Sequence, residues 1–183
     1  HYSDAVAIKQ LAINLSLILT LWSAGTNAPA DEVRVAVASN FATAMKALTV
    51  EFEKTTAHHA VLSFGSTGKH YAQIKNGAPF DVFLAADAAR PALLEEQGIA
   101  LIGSRTTYAR GKLVLWTSKP DVNDLKETLL NSQDIRHLAL ANPKLSPYGL
   151  GAQQVMVELD IWPKLQTKLV RGENIAQTFQ FVH

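Results

Sequence analysis

The fold turns on LSFGSTGKHYAQIKNGAPFDVFLAAD, residues 62–87. An apolar run ends abruptly in Phe64-Gly65-Ser66-Thr67-Gly68, and helical periodicity starts at once. Asn76-Gly77 closes that pattern, and a second apolar run follows at 82–85. Strand, loop, helix and strand in this order form the repeating unit of a parallel sheet covered by helices. Glycines and small hydroxyl residues at the mouth of a helix leave three chemistries open: a phosphate loop, a nucleophilic serine, or an uncharged cradle for an anion.

Working outward, residues 33–38 and 60–64 predict strands, as does 82–85. Phe41, Met45, Leu48 and Phe52 fall at helical spacing and predict one amphipathic stripe. Short helices are expected at 71–75 and 88–97, the latter stopped at Gly98. A second series follows, with strands at 112–117, 137–141 and 168–171. Helices are expected at 122–130 and 151–159, with another beginning at 175. The stretch GSRTTYARG, 103–111, divides the two series and predicts a crossover between lobes.

Residues 1–30 differ from the rest. LAINLSLILTLW, 11–22, is twelve residues without a charge, preceded by Lys9 and followed by Ala28-Pro29-Ala30. A short apolar core with a basic flank and an A-x-A exit has the layout of a secretory signal. Twelve residues fall short of the roughly twenty needed to span a bilayer. A mature, exported chain is therefore expected to begin near Asp31, the alternative for 11–22 being a buried first helix. The 183 residues carry 17 basic and 16 acidic side chains without a like-charge run, which argues against a nucleic-acid partner. The absence of cysteine excludes disulfides, thiolate catalysis and cysteine-ligated zinc.

In an open α/β sheet the ligand sits beyond the carboxyl ends of the strands. Those junctions here read Ala38-Ser39-Asn40, Gly65-Ser66-Thr67-Gly68, Ala85-Ala86-Asp87, Asn142-Pro143 through Pro147-Tyr148-Gly149, and Gly172-Glu173-Asn174-Ile175. Ser39, Asn40, Ser66 and Asp87 all suit helix N-caps. Amides at helix starts lack intrahelical partners and carry partial positive charge, so several converging starts bind an anion. Serine caps are also ordinary in any helical protein, and one junction alone decides nothing.

The enzymatic readings of Ser66 fit poorly. A phosphate loop needs G-x-x-x-x-G-K-[ST], yet Gly68-Lys69 is followed by His70, and position 63 is serine. The G-x-S-x-G elbow fails because Gly65 directly precedes Ser66. Ser66-Thr67-Gly68-Lys69 matches S-x-x-K, but neither S-D-N nor K-T-G accompanies it. The adjacent His58 and His59 lack a second cluster to complete a metal site.

Val35-Ala36-Val37-Ala38-Ser39-Asn40-Phe41, Phe64-Gly65-Ser66-Thr67-Gly68, and 77–87 (GAPFDVFLAAD) together resemble the periplasmic molybdate-binding proteins of ABC importers. Asn142-Pro143, Pro147-Tyr148-Gly149 and Gly172-Glu173-Asn174-Ile175 continue the resemblance in the same order, from Val33 onward. The resemblance implies an α/β, two-lobed type II periplasmic-binding-protein fold, with lobe 1 from 31–108 and lobe 2 from 109–183. It implies no catalysis and no cofactor. The expected ligand is molybdate or tungstate, held as an oxyanion by Ser39 and Ser66 hydroxyls and by helix-start amides at Tyr148 and Ile175. Asn40 and Thr67 are secondary candidates. The implied partner is a membrane permease, and the implied state is a periplasmic monomer. Sulfate or another oxyanion is the alternative ligand. The rival classes are an enzyme on the same scaffold, using Ser66 or Lys69, and the sensing domain of a transcription regulator. Members of the family continue for some tens of residues beyond the equivalent of His183. The second pass into lobe 1, with a further binding tyrosine, is thus expected to be missing from this sequence.

Overall fold

The computed structural model describes residues 31–182 apart from 121, 123, 132 and 134. The expected export signal at 1–30 lies outside the described residues. The chain runs β1 (Glu32–Ala38), a 3-10 turn (Ser39–Phe41) leading into α1 (Ala42–Thr55), β2 (His59–Gly65), α2 (Thr67–Lys75), β3 (Val82–Leu84) and α3 (Ala89–Glu96). It continues through α4 (Leu125–Leu130), β4 (Leu138–Ala141), α5 (Pro147–Glu158), α6 (Trp162–Leu165), a 3-10 turn (Gln166–Lys168), β5 (Leu169–Gly172) and α7 (Ile175–Gln180).

The strands form two parallel sheets, one ordered β2-β1-β3 and the other β4-β5. This is the helix-covered parallel α/β organisation predicted from the strand–loop–helix pattern. β1 is central in its sheet, and Val35, Ala36, Val37 and Ala38 are all buried. A strand covered on both faces has no polar side, which explains an apolar run without alternation. The second sheet packs on a cluster of Leu129, Leu140, Met156, Ile161 and Leu165.

Several boundaries differ from expectation. α2 begins at Thr67, directly behind the Gly-Ser turn, because the Ser66 hydroxyl accepts the Lys69 N–H at 3.3 Å and caps it. α5 begins at Pro147, since proline at a first helical position forfeits only an amide that has no helical partner anyway. α4 starts at Leu125, where Asp124 Oδ1 accepts the Glu127 N–H at 2.9 Å. The short helix α6 was not anticipated.

The expected strand at 112–117 is overturned: the segment has no regular structure. A strand exists only through a ladder to a neighbour, and no strand pairs with this run among the described residues. Val114 is accordingly 76% exposed, and Trp116 instead stacks on Phe179 at 4.7 Å between ring centroids. The stripe on α1 is only partly covered. Phe41, Met45 and Phe52 are half-buried, while Leu48 is exposed.

Candidate functional site

The order β2-β1-β3 means the chain leaves β1 to one side and later returns to the other. The carboxyl end of β1 is therefore a topological switch point, where neighbouring connections diverge and open a crevice. Ser39 is the first residue past that end. The register pairs Ala38 with Gly65, so Ser39 and Ser66 leave the ladder at the same height on adjacent strands, roughly 4.8 Å apart in backbone spacing.

The two hydroxyls are used differently. The hydroxyl of Ser39, half-buried, makes no hydrogen bond among the described residues and caps no helix, while its carbonyl accepts the Ala42 N–H. Its expected capping role is not realised, which leaves its donor and acceptor free. Ser66 is buried and caps α2, with its own O–H left to donate. Thr67 is also buried, and its hydroxyl accepts the Ala86 N–H at 3.0 Å, tying the start of α2 to the end of β3. Asn40 is exposed beside Ser39.

β4 and β5 likewise end together, at Ala141 paired with Gly172. The Asn142 N–H donates to the Gly172 carbonyl at 2.7 Å and fixes the two exits. From one exit the chain turns into α5, with Gly149 pressed so closely on Ala141 that a Cβ there would lie 2.0 Å from the carbonyl oxygen. From the other, Asn174 Oδ1 caps α7 by accepting the Gln177 N–H at 3.0 Å. The amides of Tyr148 and Ile175, in the first turns of these helices, have no acceptor among the described residues.

Ser39, Asn40, Tyr148 and Ile175 line one open cleft of about 620 Å³, together with Ala176, Phe179 and Gln180. Ser66 and Thr67 are not among its lining residues. No charged side chain lines it. The cations at neighbouring helix starts are engaged, Lys69 with Glu173 at 3.4 Å and Arg90 with Asp87. The arrangement offers neutral hydroxyl and amide donors to an anion, without a fixed counter-charge. A larger cleft of about 960 Å³ shares Asn40 and Tyr148 and extends past Phe41, β3 and Tyr108. Tyr108 donates to the Ala85 carbonyl at 2.8 Å and meets the Phe41 ring edge-on. Burial, with Tyr148 nearby, raises its pKa and keeps the phenol protonated.

Ala176, Phe179 and Gln180 were missed from sequence. Their signal was the spacing i, i+3, i+4 on a helix starting at Ile175, which puts them on one face. Gly65 and Gly68 make room for protein and not for a ligand. A Cβ on Gly65 would sit 3.0 Å from His70 Nε2, and one on Gly68 would sit 2.9 Å from Leu145 Cα. Protein, not ligand, occupies both spaces.

His70 packs beneath this loop against the rings of Phe80 and Phe83. Its Nδ1 lies 3.1 Å from Gln73 Oε1, while Nε2 is buried with no hydrogen-bond partner among the described residues. Burial lowers its pKa, only partly offset by the Gln73 hydrogen bond. His58 and His59 are exposed, and no metal-holding cluster occurs among the described residues.

The profile of the bacterial extracellular solute-binding protein family matches residues 33–183. Over 175 residues the chain is 47% identical to the molybdate-binding protein ModA of Azotobacter vinelandii, covering 94% of this chain and 69% of that protein. It is 46% identical over 154 residues to ModA of Rhodobacter capsulatus, covering 84% of this chain and 61% of that one. The solved periplasmic molybdate-binding protein of Azotobacter vinelandii superposes with a TM-score of 0.78 at 43% identity, over 82% of this chain and 66% of the other. The chain thus spans about two thirds of the length of these relatives.

Proposed function

The chain belongs to the bacterial extracellular solute-binding proteins, and from that membership we propose that it captures molybdate outside the cytoplasm and hands it to an ABC-transporter permease. Tungstate, of the same shape and charge, enters the same site. Ser39 Oγ donates to one ligand oxygen, and the amides of Tyr148 and Ile175 approach from the other sheet. Ser66 is the second proposed hydroxyl donor: it lies at the height of Ser39 on the adjacent strand, buried and outside the lining of the cleft. Asn40 flanks the cleft, while Thr67 supports the loop through Ala86. The protein binds and releases without catalysis.

The observation that carries this reading is the charge-free cleft. A dianion held by a full cation would be bound tightly but released reluctantly. Hydrogen bonds to a charged acceptor contribute about 1.5–3 kcal/mol each, so a few neutral donors suffice for strong but reversible capture. Helix-start dipoles add to them without a net charge. The likeness to two ModA proteins supports the choice of ligand. Selectivity over sulfate then rests on size, because both dianions offer the same acceptors. Calorimetry decides it: one molybdate per chain with sulfate at least about a hundredfold weaker (about 2.7 kcal/mol) supports the reading. Equal affinity for sulfate refutes it.

A further inference from the structure

Three polar links cross between the segment behind β2 and β3 and the segment around α5 and α7. The Gly68 N–H donates to the Leu145 carbonyl at 2.8 Å. Arg90 Nη2 donates to the Lys144 carbonyl at 3.0 Å, and its other nitrogen is held by Asp87. Lys69 Nζ pairs with Glu173 at 3.4 Å. Each link lies within a few residues of Ser66, Tyr148 or Ile175. None of these side chains lines the charge-free cleft.

We propose that this seam is the clasp that holds the two sheets shut around a bound oxyanion, and that Gly68 is the position that admits it. The inference rests on the binding function proposed above. Two-lobed binding proteins close on ligand about a hinge, and something must hold the closed form. Here the tightest approach is backbone on backbone. A Cβ at Gly68 would stand 2.9 Å from Leu145 Cα and 3.0 Å from its carbonyl oxygen. Neither atom can rotate away as the end of a side chain can. A methyl group therefore forces the seam apart and stretches the Gly68–Leu145 hydrogen bond, while α2 itself accepts alanine better than glycine. The Lys69–Glu173 pair is half-exposed and contributes less.

Gly68 is thus a positioning residue, acting through the seam and not through the ligand. The test measures molybdate association and dissociation by stopped flow for wild type, Gly68→Ala and Glu173→Gln, with thermal midpoints taken without ligand. Gly68→Ala is expected to release molybdate at least about tenfold faster, with association changed by less than about threefold, since related complexes differ mostly in off-rate. Its unliganded midpoint should be equal to or above wild type. Glu173→Gln should accelerate release by about two- to fivefold at low salt and by less at high salt. Release from Gly68→Ala at the wild-type rate overturns the clasp. Should Gly68→Ala fail to fold, an unchanged release rate in Glu173→Gln overturns it instead. A wild-type protein that binds no molybdate removes the functional reading and the clasp together, whereas normal wild-type binding with unaltered variants removes only the clasp.

Discussion

Gly149 offers a sharp test of how the second sheet carries its half of the site. A Cβ built there lies 2.0 Å from the Ala141 carbonyl oxygen, 2.6 Å from its carbon and 3.0 Å from the Asn142 carbon. Ordinary contact begins near 3.4 Å, so Gly149→Ala demands a retreat of about 1.4 Å by either α5 or the end of β4. Neither is free to move, because Asn142 N–H is bound to Gly172 and the β4–β5 ladder ends there. Overpacking of this kind costs about 3 kcal/mol, and better helix propensity returns about 1 kcal/mol. The net loss of about 2 kcal/mol lowers the thermal midpoint by about 4–8 °C in a chain of this size. Gly151 provides the control one residue pair along the same helix. Its Cβ would meet only Leu113 Cδ2 at 3.8 Å, so Gly151→Ala gains up to about 1 kcal/mol. Scanning calorimetry on both variants gives opposite shifts if the packing is right. A midpoint for Gly149→Ala at or above wild type would refute the reasoning.

Three further outcomes are expected. Ser39→Ala removes a hydroxyl that nothing else in the described chain uses, so molybdate affinity by calorimetry falls about 10–150-fold while the unliganded midpoint stays put; an affinity within threefold of wild type counts against its role. Thr67→Val strands the Ala86 N–H and lowers stability to urea by about 1–3 kcal/mol; no loss would show the bond to be dispensable. His70, with its pKa lowered by burial, binds a proton in the unfolded chain before it does in the folded one. Its contribution to stability is present above the unfolded value of about 6.5 and is lost as pH falls below it toward the folded value. His70→Gln removes this dependence, so the urea midpoints of variant and wild type converge between pH 7.5 and 5.5; parallel profiles would exclude His70 as the cause.

Much of the fold was legible because the relevant forces are local. The apolar run 35–38 is continuous because that half of β1 is buried on both faces, and Ser66 marks a helix start because its hydroxyl caps that helix. The sequence did not disclose the fate of 112–117, since a strand depends on a neighbour and not on its own residues. Nor could it show that Gly65 and Gly68 yield space to His70 and Leu145, contacts that tertiary packing alone creates. Helix-start chemistry marked the junctions that hold Ser39, Asn40, Tyr148 and Ile175, and the family resemblance singled out Tyr148 and Ile175 within them. That they share one cleft without charge required the structure. Phe179 escaped notice because an apolar aromatic on a short helix reads as core, and Gln180 because a polar residue on a short helix reads as solvent-facing.

The central claim is that molybdate sits among neutral donors where the two sheets face each other. Crystals grown with molybdate, with diffraction recorded at the molybdenum absorption edge, test it most directly. One anomalous peak per chain, within hydrogen-bonding reach of oxygens shared by Ser39 Oγ and the amides of Tyr148 and Ile175, is the predicted result. A peak at a lysine or arginine side chain, or anywhere outside that cleft, would contradict the account.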